Sequence, residues 1–379
     1  MINVPEHIKA LRPYTPGKPI EELERELGIK NPIKLASNEN PIGPSPAAVR
    51  AITAGLKKTL NRYPDGNGYY LKNALAKKLS KNPPFPPFNK GGQREITYNI
   101  TPENIILGNG SNELLDIAAR AFLAPGDEAI MAHPSFVVYA MAVQAAGGKA
   151  IQSPLRDYRH DLDAMLSAVT PKTKMLFIAN PNNPTGTMNT KGEFDRLMRK
   201  IRDGILVVVD EAYYEYVNDT RYADSFKHFR AGRDILILRT FSKIYGLAGL
   251  RIGYGIARQD IITEMNKVRA PFNTNSVAQK AAIEALKDKG HIKKSREINN
   301  KGKKYLYKEL SSLGISYAPT EANFIYIPAA GSMDIYKKLL YDGVIVRPTG
   351  PDAIRVTIGL PEENKKFIEA LKRVISASG

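Results

Sequence analysis

Residues 205–213 read ILVVVDEAY, an unbroken apolar run that ends in two acidic residues and a tyrosine. A run without polar alternation is typical of a β-strand that is covered on both faces. Comparable runs occur at residues 105–107, 129–131, 175–178 and 235–238, with gaps long enough to hold a helix. The pattern predicts an α/β domain with a mostly parallel sheet between layers of helices.

The character of the chain changes after residue 271. Two long helical patterns, at residues 276–287 and 293–313, precede three short strand candidates at residues 324–327, 344–346 and 354–358. Helices followed by strands in this order predict a smaller α+β domain.

Residues 1–40 are rich in proline and contain one helical pattern, at residues 20–27. Because this stretch is too short to fold alone, we expect an arm that packs on the small domain or on a partner subunit. The predicted parts are an arm (residues 1–40), a large domain (41–271) and a small C-terminal domain (272–379).

The 379 residues include no cysteine and five histidines, none close enough to another to form a local metal-binding motif. We therefore expect no disulfide, thiol nucleophile, iron–sulfur cluster or bound metal. No apolar run approaches the roughly 18 residues of a membrane-spanning helix, and the N-terminus lacks the apolar stretch of a signal peptide. These features favour a cytoplasmic protein without membrane contact.

Basic residues exceed acidic ones by 55 to 38, which gives a net charge of +17. Many of the lysines lie in the two long helical patterns near the C-terminus, where a solvated helical face is commoner than an anion-binding site. The chain has no tryptophan, and we do not expect it to bind nucleic acid.

Residues 82–92 read NPPFPPFNKGG and can form neither helix nor strand. The segment is typical of an exposed surface insertion, and the alternative is a polyproline-type ligand for a partner.

Four polar clusters follow predicted strands, at the edge where open α/β sheets bind ligands. The first, GNGSNE at residues 108–113, joins a strand to a helix. Its backbone N–H groups suit a phosphate, although ordinary helix capping uses the same residue types. Glu113 stands where a G-x-G-x-x-G motif needs its last glycine, which disfavours dinucleotide binding.

The second cluster is NPNNPTG at residues 180–186, either plain turn chemistry or a rigid support for an amide donor. In the third cluster, Asp210 ends a buried strand. A carboxylate at such a place is costly unless it meets a cation or a protonated partner, so it is either structurally paired or part of a site.

The fourth cluster is RTFSKIYGLAGLRIG at residues 239–253. Lys243 is either an ordinary surface lysine or, in a partly apolar and cation-rich site, an amine nucleophile. In the second case Thr240, Ser242 and Arg251 could hold a phosphate beside it.

Taken together, these clusters resemble those of the fold type I pyridoxal-phosphate aminotransferases, and within them the histidinol-phosphate aminotransferase family. The resemblance extends over nearly the whole chain. It rests on S-K, D-E-A-Y and N-N-P-T-G, and on LRPY (11–14), NENP (38–41), NRYPD (61–65), EANF (321–324) and IRVT (354–357). It implies a sheet of the seven-stranded type, pyridoxal phosphate as cofactor, and transamination of histidinol phosphate with 2-oxoglutarate or glutamate in histidine biosynthesis.

The resemblance also implies roles around the cofactor ring. Lys243 would form the Schiff base with the cofactor aldehyde and then move the substrate proton. Asp210 would pair with the pyridinium nitrogen, Asn183 and Tyr213 would donate to the phenolic oxygen, and Phe136 would stack on the ring or, alternatively, serve as an ordinary core aromatic.

The phosphate of the cofactor would be held by several groups together. These are the backbone of Ser111 and Asn112, the side chains of Thr240, Ser242 and Arg251, and Tyr63 from a second subunit. A site that borrows Tyr63 from a neighbour requires a homodimer with shared active sites.

Substrate binding would fall to Tyr14, Arg347 and Arg355. Arg355 would take the α-carboxylate of glutamate, and the phosphate of a phosphorylated amine would use the same fork of donors, with Arg347 and Tyr14 assisting. For Arg347 the alternative is a surface residue before a turn. An aromatic aminotransferase and a decarboxylase of threonine phosphate share most of these motifs and stay open as alternatives. A DNA-binding regulator is disfavoured, because residues 1–40 cannot supply a helix-turn-helix domain.

Overall fold

The computed structural model describes residues 2–81 and 99–376. The proline-rich segment at residues 82–92, for which we predicted an exposed loop, lies outside the described residues. The strands are β1 (Ile33–Lys34), β2 (Ile105–Gly108), β3 (Glu128–His133), β4 (Lys149–Arg156), β5 (Arg159–His160), β6 (Thr173–Ala179), β7 (Leu206–Asp210), β8 (Ile235–Thr240), β9 (Gly253–Ile256), β10 (Phe324–Pro328), β11 (Val344–Ile345), β12 (Arg347–Pro348) and β13 (Ala353–Thr357).

The α-helices are numbered in chain order in the same way. They are α1 (Glu6–Lys9), α2 (Ile20–Leu27), α3 (Pro46–Thr59), α4 (Tyr69–Lys81), α5 (Ser111–Phe122), α6 (Val138–Ala145), α7 (Leu162–Ser167), α8 (Lys191–Lys200), α9 (Ser225–Arg230), α10 (Gln259–Val268), α11 (Ser276–Lys287), α12 (Lys289–Ser312), α13 (Ser332–Tyr341) and α14 (Pro361–Ser376). Among the described residues, no helix is long and apolar enough to cross a membrane.

The large sheet has the strand order β2-β9-β8-β7-β6-β3-β4-β5. Strands β8, β7, β6, β3 and β4 run parallel, whereas β9 is antiparallel to both of its neighbours. The predicted α/β fold with a mostly parallel sheet is confirmed. The seven-stranded type is extended at one edge by β5, which is two residues long and antiparallel to β4.

The central strands are buried because both of their faces are covered. Every residue of β7 and of β8 is buried. Val207 and Val209 pack into a core with α4, α8 and α11, while Val208 packs on the opposite side with α5, α6 and α10. The unbroken apolar runs of the sequence therefore reflect two cores, one on each side of the sheet.

The small sheet has the order β10-β13-β12 and is antiparallel. Three strands were predicted in this part of the chain, and one of them pairs elsewhere: β11 is parallel to β1, with Ile33 opposite Val344. The third strand of the small sheet is β12, which follows β11 directly. A strand of only two residues carries too little periodicity to be recognised in a sequence.

The N-terminal segment contacts both halves of the structure. Leu23 and Ala36 pack with Ile345 of β11, and the side chain of Gln144 on α6 donates to the His7 carbonyl, at 3.1 Å. The division into residues 1–40, 41–271 and 272–379 stays a prediction. Under that division α11 would belong to the small domain, yet it packs on α3 and α4 in the core of the large sheet.

Helix α3 begins after Ser45, whose side chain caps it and accepts a hydrogen bond from the Ala48 amide at 3.2 Å. The larger apolar side chains along this helix form an apolar stripe that does not face the core. Val49, Leu56 and Leu60 are exposed, and the small residues Ala48 and Gly55 face the core instead.

Candidate active site

A cavity of about 470 Å³ opens at the carboxyl ends of β6, β7 and β8. It brings together residues from all four polar clusters and from both ends of the chain. The predicted site residues that line it are Tyr14, Ser111, Asn112, Phe136, Asn183, Asp210, Tyr213, Thr240, Ser242, Lys243, Arg251, Arg347 and Arg355. Parallel strands that end at one edge explain this convergence of residues that are distant in sequence.

Lys243 lies three residues after the end of β8 and points into the cavity. Its Nζ donates to the Ser37 carbonyl at 3.2 Å and lies 5.5 Å from the centre of the Tyr213 ring. Burial and the Arg355 guanidinium lower the pKa of Lys243 to about 8. The neutral, nucleophilic form of this amine is therefore far more populated near neutral pH than it is for an ordinary lysine.

Asp210 is the last residue of β7 and is buried. The Tyr139 hydroxyl donates to its Oδ2 at 2.8 Å, and the Ala212 amide donates to its Oδ1 at 3.1 Å. Burial raises the pKa of Asp210 above its ordinary value, against the hydrogen bond from Tyr139. The sequence analysis missed Tyr139, which lies on α6 next to the predicted stacking residue Phe136.

Glu211 follows Asp210 but forms a different kind of contact. Arg239 donates to Glu211 Oε2 from Nε at 2.9 Å and from Nη2 at 2.7 Å, and Ser225 donates to Oε1 at 2.7 Å. The guanidinium also lies 3.8 Å from the centre of the Tyr214 ring. Glu211 and Arg239 thus form a closed buried pair that joins β7 to β8 below the cavity.

Tyr213 lines the cavity above Asp210 and is buried. Its ring meets Phe324 edge to face, with centroids 5.1 Å apart, and its oxygen accepts a hydrogen bond from Asn38 Nδ2 at 2.9 Å. Burial raises the pKa of Tyr213 to about 12, so the hydroxyl keeps its proton at neutral pH. Asn38 belongs to the NENP motif, but the sequence analysis gave it no role.

The start of α5 lies in the cavity wall. Gly110 precedes the helix with a φ of 77°, and Ser111 and Asn112 line the cavity. Within the described part of the chain, no side-chain cap forms at this helix start. A Cβ at Gly110 would come within 2.6 Å of Arg251 Nη2. Glycine therefore allows this guanidinium to lie against the helix start, where backbone N–H groups attract a phosphate.

Thr240 and Ser242 complete this wall from the end of β8. The Thr240 hydroxyl accepts a hydrogen bond from the Ser242 amide at 3.1 Å, and both residues are buried. Their hydroxyl groups face the same cavity as Arg251 and the start of α5.

Arg347 and Arg355 are directly opposite each other on β12 and β13, and both line the cavity. Arg355 donates to the Asn183 side-chain oxygen at 2.5 Å and to the Ala36 carbonyl at 2.6 Å. Its buried Nε has no hydrogen-bond partner among the described residues. Two like charges across a strand pair are unfavourable unless an anion lies between them.

The hydrogen bond from Arg355 orients the side chain of Asn183. Because a guanidinium only donates, the amide oxygen of Asn183 faces Arg355, and the amide nitrogen is left to donate elsewhere. Its neighbour Asn182 donates to the Pro134 carbonyl at 3.2 Å and accepts from the Ser135 hydroxyl at 2.9 Å. These bonds fix the loop of Phe136 against the loop of Asn183.

Tyr14 and Arg347 meet at the entrance. The Arg347 guanidinium lies 5.5 Å from the centre of the Tyr14 ring and donates to the Thr15 carbonyl at 2.8 Å. The N-terminal arm is therefore attached to the cavity through both arginines, because Arg355 donates to the Ala36 carbonyl in the same arm.

Tyr63 does not line the cavity of its own chain. It is 83% exposed and stacks on Phe272, with ring centroids 4.8 Å apart. The prediction that Tyr63 serves a second subunit stays a prediction.

Comparison with known proteins identifies the class. The chain matches the family model for class I and II aminotransferases over residues 30–371. A histidinol-phosphate aminotransferase of Moorella thermoacetica is 49% identical over 377 residues, covering 98% of this chain and 92% of that protein. Another, from Methylobacillus flagellatus, is 45% identical and covers 98% of this chain and 97% of its own length.

A solved structure agrees with these matches. Histidinol-phosphate aminotransferase from Sinorhizobium meliloti, in complex with pyridoxal-5'-phosphate, has a TM-score of 0.88 and 26% identity. The alignment covers 100% of this chain and 99% of that one.

The chain therefore belongs to the class I and II aminotransferases and is an enzyme of that family. Within the family, the two curated relatives described above, at 49% and 45% identity over nearly the whole chain, are histidinol-phosphate aminotransferases, which confirms the resemblance found from the motifs.

The residues of the cavity fit the cofactor that this fold family implies. Gly110 leaves room for Arg251 at an uncapped helix start, as a phosphate requires. A buried carboxylate on Asp210 suits a protonated ring nitrogen, and Lys243 supplies an amine of lowered pKa. The phosphate of the cofactor would be held by Ser111, Asn112, Thr240, Ser242 and Arg251. The cofactor ring would be surrounded by Phe136, Asn183, Asp210 and Tyr213.

Proposed function

We propose that this protein binds pyridoxal phosphate in the cavity and transfers an amino group between histidinol phosphate and 2-oxoglutarate, in histidine biosynthesis. The observation that carries the substrate proposal is the pair Arg347 and Arg355. They lie opposite each other on adjacent strands and line the same cavity as Lys243. Two guanidinium groups provide the charge that a phosphate ester dianion needs.

When bound, pyridoxal phosphate supplies an aldehyde that combines with amines and a ring that accepts an electron pair from the substrate. Lys243 would hold the cofactor covalently before substrate arrives. After the substrate has displaced Lys243 from the cofactor, the Lys243 Nζ would accept a proton from the reacting carbon of the substrate and would then donate it to the cofactor. The lowered pKa of Lys243, about 8, suits an amine that must both accept and release a proton.

Asp210 would hold a proton on the ring nitrogen of the cofactor. Its carboxylate is fixed by the Tyr139 hydroxyl and the Ala212 amide. Neither contact is a cation, and burial outweighs the favourable charge of the more distant Lys243, so a positive partner in contact with Asp210 would stabilise its negative charge. A protonated pyridine nitrogen is such a partner.

Asn183 and Tyr213 would donate hydrogen bonds to the phenolic oxygen, and Phe136 would cover one face of the ring. The amide nitrogen of Asn183 is available because Arg355 engages the amide oxygen. Tyr213 is available because burial raises its pKa to about 12 and keeps the hydroxyl protonated.

The second substrate would use part of the same anion site. In one half-reaction Arg347, Arg355 and Tyr14 would bind the phosphate of histidinol phosphate. In the other, Arg355 would bind a carboxylate of 2-oxoglutarate or glutamate through its fork of donors. The Arg355 Nε, which has no hydrogen-bond partner in residues 2–81 and 99–376, supports a ligand at this place.

We further propose a homodimer in the cytoplasm, with Tyr63 of each subunit reaching the cofactor phosphate of the other. Tyr63 is exposed, and Val49, Leu56 and Leu60 expose the apolar stripe of α3 just before it in the chain. A second copy that covers this stripe would bury it and bring Tyr63 to a neighbouring site.

Steady-state kinetics with matched amines test the substrate. We expect kcat/KM for histidinol phosphate to exceed that for histidinol, phenylalanine and tyrosine. Arg347→Ala should lower the value for histidinol phosphate by about tenfold to a hundredfold and leave histidinol nearly unchanged, because a charge-assisted hydrogen bond is lost.

The alternatives give different results in the same assay. Equal efficiency with phenylalanine or tyrosine would identify an aromatic aminotransferase instead. Release of carbon dioxide from threonine phosphate would identify a decarboxylase.

A further inference from the structure

Asn38 is held rigidly in the segment that follows β1. It is 1% exposed, and its φ of 55° is in the left-handed region, which asparagine tolerates better than most residues. The backbone N–H of Asn38 donates to the Thr357 hydroxyl oxygen at 2.9 Å, and the backbone carbonyl of Asn38 accepts a hydrogen bond from Asn323 Nδ2 at 3.0 Å. The backbone of Asn38 is therefore fixed from both sides.

The side chain of Asn38 has a defined direction as well. The Thr357 hydroxyl donates to Asn38 Oδ1 at 3.2 Å, which turns Nδ2 toward Tyr213. Nδ2 then donates to the Tyr213 hydroxyl oxygen at 2.9 Å. An amide that accepts on one side and donates on the other connects β13 to the cavity wall.

This contact decides what the Tyr213 hydroxyl can do. Its oxygen already accepts from Asn38, so its proton must point to another group. Within residues 2–81 and 99–376 no acceptor is hydrogen-bonded to that proton, and Tyr213 lines the cavity. The charged groups that face Tyr213 are Asp210, Lys243 and Arg355, together with the Tyr14 phenol.

We infer that Asn38 is a positioning residue, which fixes Tyr213 as a hydrogen-bond donor into the cavity by occupying its oxygen. The inference rests on the proposed function, in which Tyr213 donates to the phenolic oxygen of pyridoxal phosphate. An aspartate at this position would accept the Tyr213 proton instead, and the hydroxyl would turn away from the cofactor. An alanine would leave the hydroxyl free to rotate.

The test is a double-mutant cycle on the full-length protein with added pyridoxal phosphate. Asn38→Asp and Asn38→Ala are made in the wild-type and in the Tyr213→Phe background. The measurements are the dissociation constant of pyridoxal phosphate and the pH midpoint of its visible absorbance. Thermal unfolding of each variant reports folding separately. Any effect of the new charge or of altered packing appears in both backgrounds, so only the difference between them reports the hydroxyl.

We expect Asn38→Asp to weaken binding about tenfold more in the wild-type background than in Tyr213→Phe, the size of one reversed hydrogen bond. Asn38→Ala should show a smaller difference of the same sign between the two backgrounds. If Asn38→Asp does not fold, the result for Asn38→Ala alone decides the test. The pH midpoint should shift further in the background that keeps Tyr213 than in Tyr213→Phe. Equal effects in both backgrounds would reduce Asn38 to a structural residue and overturn the inference. A wild-type protein that binds no pyridoxal phosphate would instead overturn the proposed function.

Discussion

Asp210 and Glu211 are adjacent, both buried, and burial raises the pKa of both. Glu211 has its own cation, because Arg239 donates to it twice and Ser225 donates to its other oxygen. Among the described residues, no cation lies within hydrogen-bond distance of Asp210. Asp210, which has no directly paired cation, faces the cavity, whereas Glu211 forms a closed ion pair away from it. The adjacent letters D-E do not reveal this difference.

Lys243 gives a prediction at the level of one amine. The neutral form of Lys243 reacts with the cofactor aldehyde, and its lowered pKa extends that form toward neutral pH. We expect the initial rate of covalent capture of pyridoxal phosphate to rise with pH around a midpoint near 8. The measurement is rapid mixing of apoprotein and cofactor, borohydride trapping, and mass analysis of the peptide that carries Lys243.

Two variants control this experiment. Lys243→Ala should give no trapped adduct at this peptide. Arg355→Gln should move the midpoint to higher pH, since removing a nearby positive charge favours the protonated amine. A wild-type midpoint near that of a free lysine, roughly 10.4, would show that the cavity does not tune this amine.

The junction between β9 and α5 shapes the part of the cavity wall where we propose that the cofactor phosphate binds. Gly253 begins β9 and pairs with Gly108 on one side and with Thr240 on the other. A Cβ at Gly253 would lie 2.3 Å from the Ser111 amide nitrogen. The contact is with backbone, which cannot rotate away as a flexible side chain would.

Gly253→Ala should therefore push the first turn of α5 away from the end of β8. We expect at least about a tenfold weaker affinity for pyridoxal phosphate and a loss of about 1–3 kcal/mol in the free energy of unfolding. Cofactor titration and urea denaturation of the apoprotein measure the two effects. Gly249→Ala is the matched control, because a Cβ at Gly249 meets open space and should change neither value.

The strands that could be predicted are those with buried, unbroken apolar runs. The runs at residues 175–178 and 235–238 lie within β6 and β8, which have both faces covered. β9 and β4 escaped prediction for physical reasons. β9 reads GYGI, with two glycines where apolar side chains are expected, and β4 contains a proline and is largely exposed.

The site could be predicted where a residue follows a predicted strand or belongs to a motif. Asp210 and Lys243 are of this kind, and both line the cavity. Tyr139 and Asn38 were missed because their partners, Asp210 and Tyr213, lie 71 and 175 residues away in the chain. Only the folded chain brings such pairs together, and a lone tyrosine in a helix or asparagine in a loop gives no signal of its own.

The proposed quaternary structure is a homodimer in which Tyr63 of each subunit completes the cavity of the other. Tyr63 is 83% exposed, and its ring stacks on Phe272 of its own chain. Tyr63→Ala should impair activity, because the phosphate would lose a hydrogen-bond donor. Lys243→Ala should abolish it, because the reacting amine is gone. Neither result alone tells which subunit Tyr63 serves.

Mixing the two variants separates the possibilities. In a hybrid dimer, the subunit that keeps Lys243 would receive an intact Tyr63 from its Lys243→Ala partner, so one of the two sites is complete. Random pairing of equal amounts makes half of the dimers hybrid, and we expect activity of about one quarter of wild type after co-refolding. If Tyr63 serves its own subunit, no complete site forms, and the mixture stays at the average of the separate variants. Sedimentation at the assay concentration should show the dimer in every sample, and an active monomer would contradict the shared site.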